Sequence, residues 1–288
     1  MRRFATLLLF ALLGCATLSA QYSNITPAPL GMSDTFLNHI HIEKGEFDFT
    51  QELKLYFDIS KHSKISPEDR ERLIAAAEAA GLNFEVVKRL PKKNAIVLSL
   101  HPIPYTHDHK EGYSILTEKE NVVVWGHDAA GLFYALQTIR QLVESGEWQT
   151  GHIVDYPRFE YRGALIDISR HFRSVDFLKR QIDMMARLKM NRLHLHLTDA
   201  AGWRLEIESY PRLTSYAAWR TPHDWKGWWY GDRQFVEEGA EGASGGYLTK
   251  EEAIIEMMRF RSIFPKAIAQ NREMDITDFI IKAEPSDE

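Results

Sequence analysis

The chain has 288 residues, 44% of them hydrophobic and 11% aromatic, which is enough to bury two cores and sets disorder aside as the default. Its formal charge is −5, and it becomes more acidic still if an N-terminal leader takes Arg2 and Arg3 away. With no basic block apparent, a nucleic-acid partner is not expected.

Residues 1–20 read as a secretory signal peptide: Arg2 and Arg3, an apolar run over 4–13, then small residues up to Ala20. The run is too short to span a bilayer, and no later segment approaches the roughly 20 apolar residues that a transmembrane helix needs. The expected location is therefore periplasmic or extracellular. Leu12-Leu13-Gly14-Cys15 has the form of a bacterial lipobox, so Cys15 becomes a lipid anchor unless the leader is cut after Ala20. A membrane partner is expected only through that lipid. As Cys15 is the sole cysteine, no intrachain disulfide can form.

From residue 21 short strand-like runs alternate with two helices. Ser66-Pro67-Glu68-Asp69 opens the first, with a capping hydroxyl and a proline at the first turn, and Gly81 stops it. Residues 84–87, 95–100, 113–116 and 122–125 have strand composition between turn residues. The second helix starts at Asp128, with Leu132, Ala135, Leu136, Ile139, Leu142 and Val143 defining one buried face. Residues 21–154 thus form an α+β domain. Within it His107-Asp108-His109 sits in a Pro- and Lys-rich connection, where a solvated loop is favoured over a metal site.

The pattern changes at Asp155-Tyr156-Pro157-Arg158. A mostly apolar strand over 163–169, an amphipathic helix over 175–189 and a second buried-type strand over 191–197 make a βαβ unit, which implies parallel pairing. Both strands end in polar residues, Ser169-Arg170-His171 and Thr198-Asp199, where sites lie in parallel α/β folds. Alternation puts His194 and His196 on one strand face. They are either metal ligands, which would need partners from later strands, or buried imidazoles satisfied by neighbours. Arg170 and Asp199 share one rim; they form either a sugar-binding pair or an ion pair that only organises the rim. Five of the seven tryptophans lie over 203–229, and Trp225-Lys-Gly-Trp-Trp-Tyr230 reads as a loop without periodicity, stacking on sugar or packing on its own domain. Gly242-Ala-Ser-Gly-Gly246 lacks a P-loop lysine and turns the chain into Thr249-Lys-Glu-Glu252, a capping box opening another helix.

Tyr161-Arg162-Gly163, Asp167-Ile-Ser-Arg170-His171, His194-Leu-His196-Leu-Thr-Asp199, Gly202-Trp203-Arg204 and Gly245-Gly-Tyr247, in that order, resemble family-20 glycoside hydrolases, the β-N-acetylhexosaminidases. Glu111-Gly112-Tyr113 and Gly131-Leu-Phe-Tyr-Ala-Leu-Gln137 resemble the α+β domain that precedes the family's barrel. The resemblance implies an α/β architecture: an N-terminal α+β domain followed by a (β/α)8 TIM barrel. It also implies removal of terminal N-acetylglucosamine or N-acetylgalactosamine from glycans with retention, the substrate's acetamide acting as nucleophile. No metal or cofactor is implied. By the same resemblance Arg170 grips the terminal sugar's hydroxyls, and Asp199 joins the proton network of the catalytic acid through a histidine on a later strand. Ala200 departs from the acidic residue that many members carry there. The family's catalytic Asp-Glu pair has no counterpart, since the sole Asp-Glu is Asp287-Glu288. A barrel typically takes about 250 residues, whereas positions 155–288 provide about 134, with an atypical tail from 261. The expectation is therefore an incomplete barrel from a truncated product that is inactive alone. The alternatives are a non-catalytic carbohydrate-binding protein and a metal-dependent barrel hydrolase.

Overall fold

The computed structural model describes residues 24–33, 35–36, 40–58, 65–100, 109–221 and 224–253. The leader with Cys15, the residues His107 and Asp108 and the tail from 261 lie outside them. Two compact units are present: one runs to Glu160 and includes Arg187–Lys189, the other comprises Tyr161–Ala186 and the residues from Met190 on. No helix among the described residues is long and apolar enough to cross a membrane.

The first unit holds, in chain order, β1 (Gly31–Ser33), the two-residue pair β2 (Thr35–Phe36) and β3 (Ile40–His41), β4 (Leu53–Phe57), α1 (Pro67–Ala79), β5 (Phe84–Val87), β6 (Ala95–Leu100), β7 (Tyr113–Thr117), β8 (Asn121–Gly126), α2 (Ala129–Ser145) and β9 (Gly151–Asp155). Seven of these strands form one sheet in the order β1-β9-β7-β8-β6-β4-β5, parallel from β8 to β5 and antiparallel from β1 to β8. Alternation explains the core: Leu53, Leu55 and Phe57 are buried, Lys54 is exposed, and Ile96, Leu98, Val122 and Val124 continue the apolar layer. β4 and β9 had not been expected. β4 shows the period of two in Leu-Lys-Leu-Tyr-Phe, and β9 lies across the composition change near residue 155.

Both helices start where their caps predict. Ser66 Oγ accepts from the Asp69 amide at 3.1 Å ahead of Pro67, and Asp128 Oδ1 accepts from the Gly131 amide at 2.9 Å. The second carboxylate oxygen of Asp128 accepts from the Glu111 amide at 3.1 Å. A Cβ on Gly131 would stand 2.2 Å from the Gly112 carbonyl, so the Glu111-Gly112 and Gly131 motifs mark one close crossing of loop and helix. The expected single buried face of α2 is a correction. Every residue from Ala130 to Ile139 is buried and Val143 only half-buried, because the helix packs against α1 as well as against β6, β7 and β8, while the Thr26 amide donates to Gln141 Oε1 at 2.6 Å.

The second unit carries β10 (Gly163–Asp167), α3 (Val175–Arg187), β11 (Arg192–His196), the hairpin of β12 (Thr198–Asp199) and β13 (Gly202–Trp203), α4 (Arg212–Ser215), β14 (Trp219–Arg220), α5 (Trp225–Tyr230) and β15 (Ser244–Gly245), which pairs with β14. β10 and β11 are parallel, with Leu165 beside His194 and Asp167 beside His196. Their alternate residues Ile166, Ile168, Leu195 and Leu197 pack with Leu178, Leu205 and Leu248 in the core. Among the described residues the pair stands as a two-stranded sheet, and a closed barrel is not formed. The segment 225–230, expected as a loop, is a short helix: Asp224 Oδ1 caps it by accepting from the Gly227 amide at 2.8 Å. Thr249 and Glu252 form the expected capping box, each side chain accepting from the other's amide at 3.1 and 2.9 Å.

Candidate active site

The chain leaves β10 through a turn made by Asp167, whose Oδ1 accepts from the amides of Ser169 and Arg170 at 2.9 and 3.1 Å. That turn aims Arg170 at the end of β11. Its Nη1 donates to Asp167 Oδ2 and to His196 Nδ1, both at 2.7 Å, and its Nη2 meets Asp199 Oδ2 at 2.5 Å. A guanidinium only donates, so His196 Nδ1 accepts and the imidazole proton sits on Nε2. Nε2 faces the Thr198 carbonyl at 3.1 Å and Asp199 Oδ2 at 3.3 Å. Asp199 is fixed through its other oxygen, which accepts from the Ala200 amide at 2.6 Å.

Arg170 and Asp199 are thus joined, as expected of the two strand ends. The cluster also contains Asp167, to which no role had been given, and His196, expected as a metal ligand or as a satisfied imidazole. Alternation already set His196 on this face, whereas the register that brings Asp167 beside it depends on the parallel pairing. The Arg170 side chain remains 38% exposed, and among the described residues its Nε–H and one Nη2–H have no acceptor. Two donors of a planar fork are therefore left for a ligand's paired hydroxyls. Burial pushes the Asp167 carboxyl up, but the Arg170 amide, the Arg170 guanidinium and His196 outweigh it and hold the group below the ordinary carboxylate value.

Behind the cluster lies Arg204, 1% exposed, a residue that a polar Gly-Trp-Arg stretch gave no reason to place in a core. It donates from Nε to the carbonyls of Ile168 and Ser169 at 3.1 and 3.2 Å, from Nη2 to Ser169 at 2.8 Å, and from Nη1 to Ala218 and Gly246 at 2.5 and 3.1 Å. Burial and then the charge of Arg220 lower its pKa to about 10, against an opposing pull from Asp167. Arg220 donates to the Arg170 carbonyl at 2.5 Å and to the Ala201 carbonyl at 2.5 Å. The motif glycines make room: a Cβ on Gly202 would lie 2.3 Å from the Arg204 guanidinium, and one on Gly245 would lie 1.9 Å from the Ala218 carbonyl.

The remaining candidates fall elsewhere. His194 is exposed, so the expectation of a buried, satisfied imidazole holds for His196 only in part and for His194 not at all. No group of three or more potential metal-ligating side chains occurs among the described residues. His109 stacks on Tyr156 with centroids 4.0 Å apart. Trp203, Trp219 and Trp228 each donate an indole N–H to a backbone carbonyl, and Trp229 lies under the Arg233 guanidinium, which favours packing over an open stacking platform for these four.

Two family models match. Residues 36–156 fit glycosyl hydrolase family 20, domain 2, and residues 159–262 fit the catalytic domain of the same family. A beta-hexosaminidase of Porphyromonas gingivalis is 31% identical over 213 residues, covering 70% of this chain and 26% of that protein. A beta-hexosaminidase of Akkermansia muciniphila is 47% identical over 95 residues, covering 31% of this chain and 19% of its own length. Among solved structures, a mutant Streptomyces plicatus beta-hexosaminidase in complex with product GlcNAc matches with a TM-score of 0.59 and 32% identity, covering 84% of this chain and 44% of that one. The chain spans about a quarter or less of the length of the curated relatives it matches.

Proposed function

Because the chain belongs to glycosyl hydrolase family 20, we propose that the cluster around Arg170 is the sugar-gripping part of a β-N-acetylhexosaminidase active site. The observation that carries this is the guanidinium held at the ends of two parallel strands by Asp167 and Asp199, with 38% of its side chain still exposed. Its remaining donors bind adjacent hydroxyls of a terminal N-acetylglucosamine or N-acetylgalactosamine. β10 and β11 are the first strands of a (β/α)8 barrel, with the site on their C-terminal side. The domains proposed are 21–154 and 155–288, after a leader over 1–20.

In the proposed reaction the substrate's acetamide oxygen attacks C1 while a general acid protonates the leaving oxygen. The resulting oxazolinium is opened by water, with net retention. Asp199 joins the proton network of that acid through a histidine on a later strand. Within these 288 residues the sole Asp-Glu is Asp287-Glu288, outside the described residues, so the chain by itself is expected to bind sugar without turning it over. Titration with N-acetylglucosamine followed by calorimetry, alongside a chromogenic N-acetylglucosaminide assay, tests both parts. Arg170→Ala should weaken binding at least about tenfold, since one charge-assisted hydrogen bond contributes about 1.5 kcal/mol or more. Unchanged affinity in that variant would remove Arg170 from the site, and robust turnover by the unmodified chain would overturn the missing-acid claim.

Export is part of the proposal and is supported by the pattern of residues 1–20. Mass spectrometry of protein recovered from a bacterial envelope distinguishes a chain cut after Ala20 from one lipidated at Cys15. An intact Met1 on the recovered protein would rule export out.

A further inference from the structure

The chain is acidic overall, yet Lys88-Arg89-Leu90-Pro91-Lys92-Lys93 places four cations within six residues, a local basic block that the whole-chain balance conceals. The segment follows β5, the edge strand of the first unit's sheet, and its first four residues, Lys88 to Pro91, line an open groove of about 450 Å³ with Lys54, Glu85 and Val87. Lys54 stands directly across from Glu85 in the parallel register, so those two charges offset each other. Lys88, Arg89, Lys92 and Lys93 are all exposed, and among the described residues none of them pairs with a carboxylate. Lysines on a sheet edge discourage strand addition, and that accounts for one or two of them. It does not account for four unneutralised cations in one exposed run, two of which, Lys88 and Arg89, line the groove.

We infer that this edge groove binds an anionic glycan chain, one carrying sulfates or carboxylates along its length, at a surface separate from the Arg170 cluster. Short runs of Lys and Arg recognise polyanions through charge. One observation favours a glycan over a nucleic acid. The groove's apolar lining is Val87, Leu90 and Pro91, with no aromatic ring on which a base could stack. This inference does not depend on the hydrolase reading.

The test titrates the full chain with a size-defined heparin oligosaccharide, by calorimetry, at 50 mM and 300 mM salt. Binding should be present at the lower salt and at least tenfold weaker at the higher. K88E/R89E should lose at least tenfold in affinity, and K92Q/K93Q should lose several-fold. K110E/K226E, which changes exposed charges elsewhere, should leave it unchanged. Each variant's thermal midpoint should match that of the parent, because every altered cation is solvent-exposed. No binding at 50 mM salt, equal loss in the K110E/K226E control, or equal affinity for single-stranded DNA or anionic vesicles of matched charge would each overturn the assignment.

Discussion

Two guanidiniums flank the end of β10 and show how surroundings decide what one residue type does. Arg170 is 38% exposed and paired with carboxylates, so it keeps open donors for a ligand; Arg204 is 1% exposed and bonded to four backbone carbonyls, so every donor it directs there is structural. Arg204→Lys should therefore destabilise the second unit nearly as much as Arg204→Ala, by roughly 3 kcal/mol or more, because one ammonium cannot reach carbonyls on three segments. Urea unfolding of the two variants measures it, and a Lys variant as stable as the parent would contradict the fork argument. Asp167 gives the second prediction at this scale. Its folded-state value is depressed, so the hold on Arg170 is complete above the unfolded value of 3.8 and is lost only as pH falls through the lower folded value. Carboxyl NMR of Asp167 should show a titration midpoint below 3.8, and a midpoint there or higher would exclude the pairing in solution. The sequence made Arg170 and Asp199 legible because each ends a strand. It left Arg204 obscure, since nothing in a polar tripeptide shows that backbone carbonyls will enclose it.

At the level of elements, strands and helices announced themselves where a local pattern was sufficient. The capped starts at Ser66 and Asp128 and the runs at 84–87 and 95–100 match the structure, because capping and alternation act within a few residues. The helix at 225–230 did not, since its single turn and a half is set by the Asp224 cap and the burial of Trp228 rather than by any period. The neighbouring strands β7 and β9 carry a testable buried pair, Ser114 Oγ and His152 Nε2 at 2.6 Å. Burial lowers the His152 pKa from 6.5 to about 4, a difference of roughly 3 kcal/mol between folded and unfolded protonation. The unfolded chain thus takes up the proton first as pH falls. Stability is complete above about 6.5, declines down to about 4 and is flat below, as far as this residue is concerned. His152→Gln should flatten that decline in denaturant midpoints measured across the window, and an unchanged slope would show that His152 is not its source.

Across the whole molecule, the two units differ in how their sheets are finished. The first closes seven strands around an apolar layer against α1 and α2, and its central strands β4, β6, β7 and β8 are paired on both sides. In the second, β10 and β11 pair with each other alone among the described residues, and Leu165 on the face that carries Asp167 and His196 is 59% exposed. Sheets of two strands are marginal in water, because each strand keeps one unpaired edge and little apolar area is covered. Local opening should therefore be far cheaper in β10–β11 than in the seven-stranded sheet. Hydrogen exchange of the full chain should find the amides of 95–100 and 122–126 protected at least about a hundredfold longer than those of 163–167 and 192–196, since a stability gap of about 2.7 kcal/mol corresponds to that factor. Binding of N-acetylglucosamine at Arg170 should slow exchange in the second pair and leave the first untouched, because a ligand stabilises only the state that holds it. Equal protection of the two sheets in the free chain would mean that β10–β11 gains support beyond the pairing described, and the argument from unfinished edges would fail.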